Sequence, residues 1–256
     1  MRARNPSRAV VSAVIPCLNE ADAIGGVVAS VLAQGVAEVI VVDGGSRDAT
    51  VEHARAAGAR VVVEPRRGYG LAVQRGITQA RRDADILLFI DGDGSDRTEL
   101  IPQLIAPIAE GRAIFTHGSR VKGEREPGSL SFAQIVAGRL AGLLIHLIYR
   151  VKFTDMSPFR AIRRDALERL GMQETGFGWN LEMLMRVAAA GLGTQEIAVG
   201  QRRRIGGVSK VSGNPIVGLK AAIAIVTTFI RLAASLRRAG VAQAASEASP
   251  ASTPEP

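Results

Sequence analysis

ILLFIDGDGSD, residues Ile86 to Asp96, is an unbroken apolar run that stops at Asp91, Asp93 and Asp96, spaced by two glycines and a serine. A strand that is apolar at every position has both faces covered, as in a parallel strand held between two layers of helix. VIVV (Val39 to Val42) repeats the pattern and also runs into an acidic, glycine-rich turn, DGGSRDAT. Working outward from these segments, the chain alternates strand and helix from residue 10 to about 115. The expected strands are Val10 to Ile15, Glu38 to Val42, Arg60 to Val63, Ile86 to Ile90 and Ala113 to Phe115; helices are expected at 20–33, 49–57, 70–81 and 97–109. Repeated strand and helix of this kind predicts an α/β fold with a doubly wound, mostly parallel sheet flanked by helices. Ligands of such sheets bind at the carboxyl ends of the strands. The segments in question are PCLNE, DGGSRD, EPRRGYG and DGDGSD. A dinucleotide-binding turn would carry G-x-G-x-x-G after the first strand, where this chain has PCLNE.

Length and charge narrow the possibilities. At 256 residues the chain suits one domain, expected over 1–240, and AQAASEASPASTPEP at its end has the composition of a disordered tail, 241–256. Thirty-two Lys and Arg against 24 Asp and Glu give +8, which favours anionic partners. Nucleic acid is disfavoured, since only 4% of residues are aromatic and they are not interleaved with the basic ones. The lone cysteine, Cys17, reads as a small buried side chain and requires no oxidising compartment. The basic, apolar start contains Pro16 and runs straight into Asn19 and Glu20, so it reads as the first strand rather than a signal peptide. No uninterrupted apolar run approaches the ~20 residues that cross a bilayer, and a cytoplasmic location is expected.

Asp91 and Asp93, delivered together at the end of a buried strand, form a pair suited to a hard divalent cation, Mg2+ or Mn2+, that neutralises a departing diphosphate. Asp96 with Glu99 reads as a helix start. Asp43 stands where a carboxylate can accept from the N–H edge of uracil or guanine, while Ser46 and Asp48 begin the next helix. Arg66, Arg67, Gly68 and Gly70 precede a helix and suit a diphosphate, through charge and backbone N–H groups.

PCLNE, VVDGGSRDAT, RRGYGLAVQRG, FIDGDGSD and the later GSR at Gly118 to Arg120 resemble, in order, the pattern of family 2 glycosyltransferases with the GT-A fold. TDMSPFRAIRRDAL, the acidic segment around Glu182 and RRRIGGVSK are similar to polyprenyl-phosphate sugar synthases of the dolichyl-phosphate mannose type. The resemblance covers about residues 10–212. It implies a UDP- or GDP-sugar donor, a nucleotide-sugar half over 10–115, an acceptor half over 116–212 and inversion at the sugar carbon. It also implies that Pro16, Glu20 and Asp43 line the nucleotide pocket, that Asp91 and Asp93 engage the metal, and that Arg120, Arg160, Ser209 and Lys210 lie near donor or acceptor phosphates. Gly44 in place of a second aspartate, Asp-Gly-Asp in place of Asp-Ala-Asp, and Pro158 in place of a glycine depart from the family pattern, and bear on the sugar and acceptor rather than the reaction.

A phosphate monoester, with a second pKa of about 6, is already ionised at neutral pH and needs holding rather than deprotonating. Arg202, Arg203, Arg204 and Lys210 supply such a hold, in RRRIGGVSK. Two apolar helices bear on where the acceptor lives. Arg139, His146 and Arg150 lie seven and four residues apart in the first, and Lys220, Thr227, Arg231 and Arg238 at intervals of seven, four and seven in the second, over 213–240. Each reads either as an interfacial helix with its basic groups at lipid headgroups or as a helix packed on the sheet or a second copy of the chain. Asp155 and Glu182 are candidate bases for a hydroxyl acceptor, and Trp179 a candidate sugar platform. The same enzyme class acting on a soluble hydroxyl or phosphorylated acceptor, and a non-catalytic nucleotide-sugar-binding protein, are the competing readings.

Overall fold

The computed structural model describes residues 9–206, 223 and 225–236. Its strands are β1 (Val11–Cys17), β2 (Glu38–Asp43), β3 (Arg60–Val63), β4 (Ile86–Phe89), β5 (Phe115–Ser119), β6 (Arg160–Arg163) and β7 (Thr194–Ala198). The helices are α1 (Ala21–Leu32), α2 (Thr50–Ala56), α3 (Tyr69–Gln79), α4 (Ile101–Ala109), α5 (Phe132–Tyr149), α6 (Arg164–Leu170), α7 (Trp179–Ala189) and α8 (Ile225–Leu236). The seven strands form one sheet in the order β3-β2-β1-β4-β6-β5-β7, with β6 antiparallel to both its neighbours and every other pair parallel.

The apolar runs predicted this two-sided layering. Val14, Ile40, Val42, Leu87 and Phe89 face a core built with α3, α5, α6, α7 and α8. Ala13, Ile15, Val39, Val41, Leu88 and Ile90 face the opposite core, with α1, α2 and α4. Alternate side chains of one strand therefore enter different cores, which is why no polar alternation is written in β1, β2 or β4. The first four strands lie within a residue or two of expectation. The fifth runs Phe115–Ser119 instead of Ala113 to Phe115, because its polar and small residues, Thr116, His117 and Ser119, are buried by partners distant in sequence rather than by apolar pattern.

Helix α5 begins with a capping box, Ser131 Oγ accepting from Gln134 N–H at 3.2 Å while Gln134 Oε1 accepts from Ser131 N–H at 2.9 Å. Its buried face is small: Ala137, Gly138, Ala141 and Gly142, with Ile145. A Cβ on Gly142 would overlap the Phe153 carbonyl, so the missing side chain is what lets the helix lie against segment 153–156. Large apolar residues point outward instead, Phe132 at 82% exposure and Leu147 at 56%. In α8, Phe229 and Leu232 are buried in the core while Ile230 is exposed. By length and composition alone α5 is able to cross a membrane, whereas its inner face packs on the protein. Lys220 and Arg238 of the second basic stripe lie outside the described residues.

Candidate functional site

The carboxyl ends of β2, β1 and β4 lie side by side. Cys17 registers with Asp43 on β2, and a Cβ built on Gly92 would stand 3.2 Å from Cys17 Cβ, so the acidic turns after β2 and β4 meet across the end of β1. With strands ~4.8 Å apart, the two turns are separated by about 10 Å, the scale of a nucleoside diphosphate.

Asp43 is buried, and its Oδ2 accepts from Gly45 and Ser46 N–H at 2.9 and 3.0 Å. Its Oδ1 is buried without a hydrogen-bond partner among the described residues, although a carboxylate oxygen away from water needs a donor. The loops around it are stitched together. Ser46 Oγ accepts from Asn19 N–H and Asn19 Oδ1 from Arg47 N–H, at 2.8 and 2.9 Å, while Thr50 Oγ1 accepts from Glu20 N–H at 2.8 Å and donates to Asp48. Ser46 and Asp48, expected to open α2, instead join the first two strand ends, since the N-cap of α2 is Ala49 without a side-chain cap and Asp48 Oδ2 accepts from Ala21 N–H at 3.3 Å. The result is a cleft of ≈ 450 Å³ lined by Leu18, Asn19, Gly44, Gly45, Arg47, Pro65 and Arg67, within the size of small-molecule sites. Pro16 sits half-buried on β1 one residue before Cys17.

Gly68 and Gly70 belong to a different contact. The Gly70 and Leu71 N–H groups donate to the Gly176 and Thr175 carbonyls at 3.2 and 3.0 Å, and a Cβ on either glycine would overlap the carbonyl oxygen of Thr175 or Glu174. The start of α3 is therefore closed by the 174–176 loop: both glycines serve that close approach, and the Gly70 amide expected to face a diphosphate is taken by Gly176. Arg66 pairs with Glu64, at 2.8 Å, which leaves Arg67 as the residue of this segment that faces the cleft.

Beside this cleft is a concentration of acid. The Asp91 carboxyl is pushed well above the usual carboxylate range by burial and by Asp96, Asp93 and Glu20, and opposed by Arg120. Asp96 is raised to about 7 by burial and by Asp93. It is not the helix cap expected from the sequence: its Oδ2 turns back to accept from Asp91 N–H at 3.1 Å, and neither the short 3-10 turn Thr98–Leu100 nor α4 has a side-chain cap. Asp93 Oδ1 accepts from Ser95 N–H at 2.9 Å. Among the described residues no group of three His, Cys, Asp or Glu is arranged to hold an ion by itself.

The basic residues divide. Arg120 is buried in a forked pair with Asp155, at 2.7 and 2.9 Å, and Asp155 also accepts from Arg120 N–H, so its carboxyl is held down at about 2 despite burial. Asp155 is thereby a clamp on Arg120, not the base foreseen for it. Glu182 is likewise consumed, accepting from Gln173 and Glu174 N–H and from Arg186 Nε. Arg160 is fully buried, donating to the carbonyls of Asn180 at 3.0 Å and Ser157, and burial lowers it to about 10. Trp179 is 2% exposed in the core, which removes it as a sugar platform; two residues before it Phe177 is exposed, stacked 6.3 Å from Tyr69. Sequence reasoning missed His117, whose Nε2 bonds the Asp155 carbonyl at 2.9 Å and which burial lowers to about 3, because a lone histidine in a polar stretch carries no pattern.

Arg202, Arg203 and Arg204, read as one cluster, go three ways: Arg202 to Glu99 at 2.6 Å, Arg203 to the 126–127 turn, and Arg204 to Glu20 at 2.9 Å and Asp93 at 3.5 Å. Ser209 and Lys210 lie outside the described residues.

Residues 12–171 match the profile described as Glycosyl transferase family 2. The chain belongs to that family. It is 38% identical over 205 residues, 80% of this chain and 90% of the relative, to an uncharacterized glycosyltransferase of Mycobacterium tuberculosis. It is 32% identical over 199 residues, 77% of this chain and 84% of the relative, to a dolichyl-phosphate hexose transferase of Haloferax volcanii. Among solved structures, glucosyl-3-phosphoglycerate synthase from Mycobacterium tuberculosis, in complex with Mn2+, UDP and glucosyl-3-phosphoglycerate, superposes with a TM-score of 0.67 at 23% identity, over 88% of this chain and 80% of that one. This family 2 glycosyltransferase has the GT-A fold, as its sheet order and structural neighbours agree.

Proposed function

We propose that this glycosyltransferase moves a hexose from a UDP- or GDP-sugar to the phosphate of a polyprenyl phosphate, with inversion, at the cytoplasmic face of a membrane. The observation that carries the reading is the pairing of the unpartnered Asp43 Oδ1 with the acid-rich turn of Asp91 and Asp93 at adjacent strand ends. Asp43 would take a nucleobase N–H while Pro16, Glu20 and Arg67 border the nucleotide. The 32% identical relative named a dolichyl-phosphate hexose transferase supports both the hexose and the lipid phosphate. The Mn2+ and UDP of the structural neighbour support the ion and a uridine donor. The exposed Phe132, Leu147 and Ile230, with Arg139 and Arg150 among them, suit a peripheral contact with lipid. In this reading 10–115 is the donor half and 116–212 the acceptor half; of the segments 213–240 and 241–256 only residues 223 and 225–236 are among the described residues.

The residues fit a divalent ion. Carboxyls crowded at Asp91, Asp93 and Asp96, beside Glu20, outnumber the guanidiniums among them, Arg204 and the Asp155-bound Arg120, and with no group of three ligand residues among the described residues the diphosphate and water would complete coordination. Such an ion, when bound, stabilises the charge that develops on the leaving diphosphate. Arg120, fixed by Asp155, holds positive charge beside Asp91 and Asp96, and Arg160 adds a second buried charge near Asp91. Arg202, Ser209 and Lys210 would receive the acceptor phosphate, while Arg204, expected with them, lies against Glu20 and Asp93 on the donor side. An ionised phosphate needs no base to attack, which agrees with both candidate bases, Asp155 and Glu182, being spent in ion pairs.

The test is transfer of labelled sugar from UDP- and GDP-sugars to polyprenyl phosphate in detergent with Mn2+ or Mg2+. Asp91→Asn with Asp93→Asn should lower turnover by about 1,000-fold or more; unchanged turnover would remove the metal assignment. A second reading, a phosphorylated soluble acceptor, is favoured by the phosphoglycerate product held in the structural neighbour. Efficient transfer to such a metabolite without detergent, and none to the lipid, would replace the first reading by the second.

A further inference from the structure

We infer that Arg204 is an internal counter-ion at the acidic end of the site that must leave it when metal and donor bind, so that the two bind cooperatively. The inference rests on the metal reading above. A short strap, residues 202–206, crosses the turn after β4: Arg202 N–H donates to the Ser95 carbonyl at 2.9 Å and Ile205 N–H to the Asp93 carbonyl at 3.0 Å. The Ile205 side chain covers Gly94, whose φ of +76° and lack of Cβ leave room for it. Gly206 then packs on Asp22 at the start of α1, so the strap bridges the two edges of the acidic end.

From this strap Arg204 Nη2 reaches Glu20 Oε1 at 2.9 Å and Asp93 Oδ2 at 3.5 Å, with both carboxylates mostly buried. Its Nε is buried without a partner among the described residues. One guanidinium thus lies against Asp93, one of the pair assigned to the cation, and Arg204 is only 28% exposed. A divalent ion at Asp93 brings two further positive charges to the same oxygen, and guanidinium and ion repel at that distance. A diphosphate removes the conflict, because it offers the displaced fork an anion of the geometry arginine binds best. Metal alone therefore has to expel Arg204 without compensation, whereas metal with a nucleoside diphosphate does not. By linkage the coupling is reciprocal, and a value in the usual range gives about 5- to 150-fold.

The experiment measures Mn2+ binding by electron paramagnetic resonance on the full chain, with and without UDP or GDP. Wild type should bind Mn2+ at least about fivefold more tightly in the presence of the diphosphate. Arg204→Met should bind Mn2+ alone about tenfold more tightly than wild type and lose most of the coupling, while Arg204→Lys, which keeps the charge, should stay near wild type in metal affinity. Circular dichroism confirms that each variant is folded. Equal or weaker Mn2+ binding by Arg204→Met, with Mn2+ and diphosphate still bound by wild type, would overturn the counter-ion and leave the metal site standing. No Mn2+ bound by wild type under any condition would overturn both.

Discussion

The two sides of the sheet arrive at one cleft by different routes. On the β3-β2-β1-β4 side the aspartates at the strand ends accept from backbone groups close in sequence, Asp43 from Gly45 and Ser46 and Asp93 from Ser95, with Arg204 reaching Asp93 from the strap. On the β6-β5-β7 side the charged residues are held from far along the chain, Arg120 and His117 by Asp155, 35 and 38 residues away, and Arg160 by Asn180, 20 away. The first arrangement leaves an oxygen over for a ligand; the second spends its charges on itself. Substitutions on the first side should therefore cost ligand binding, and on the second side stability.

The largest effect expected from this contrast is at Asp155. Asp155→Ala strands the buried Arg120 guanidinium and should lower the unfolding free energy by about 3–5 kcal/mol in urea melts. A loss below about 1 kcal/mol would make the two sides equivalent. Next is Asp43→Asn, in which the amide oxygen still accepts from Gly45 and Ser46 but the unpartnered oxygen is replaced by a donor. Calorimetric titration with UDP and GDP should show affinity falling about 10- to 100-fold, with stability within about 1 kcal/mol of wild type. A large stability loss without a change in affinity would invert the contrast.

The mildest change at neutral pH is His117→Phe, which removes one buried hydrogen bond worth about 1 kcal/mol. Its signature is in acid. With the folded imidazole lowered from 6.5 to about 3, the unfolded chain binds the extra proton first, so stability falls as pH drops below about 6.5 towards 3. Asp155, lowered from 3.8 to about 2, adds a further loss between those values. Asp96, raised from 3.8 to about 7, acts oppositely, adding stability as pH falls from 7 towards 4, in both proteins. Urea midpoints from pH 7.5 to 4 should fall more steeply for wild type than for His117→Phe. Parallel curves would mean that His117 is not buried neutral.

The donor side was legible because its residues follow apolar runs immediately. A run such as ILLFI locates a buried strand, and the position of Asp91 and Asp93 at its carboxyl end then follows from sheet topology. The failures were side chains whose partners no local pattern names. Asp96 looked like a cap and instead holds Asp91 N–H; Gly68 and Gly70 looked like a phosphate cradle and are closed by residues 174–176. Arg202 to Arg204 looked like one patch and are dealt to three partners.

The order of strands and helices as far as β5, the two-sided burial of β2 and β4, and the gathering of acidic turns at one edge were determined by the sequence itself. Hydrophobic periodicity and turn chemistry are local properties, written in consecutive residues. Which carboxylates stay available and which are neutralised by arginine was decided only in three dimensions, where Asp155 meets Arg120 and Arg204 meets Glu20. An ion pair forms between groups that folding brings within about 4 Å, and sequence separation carries no record of that distance.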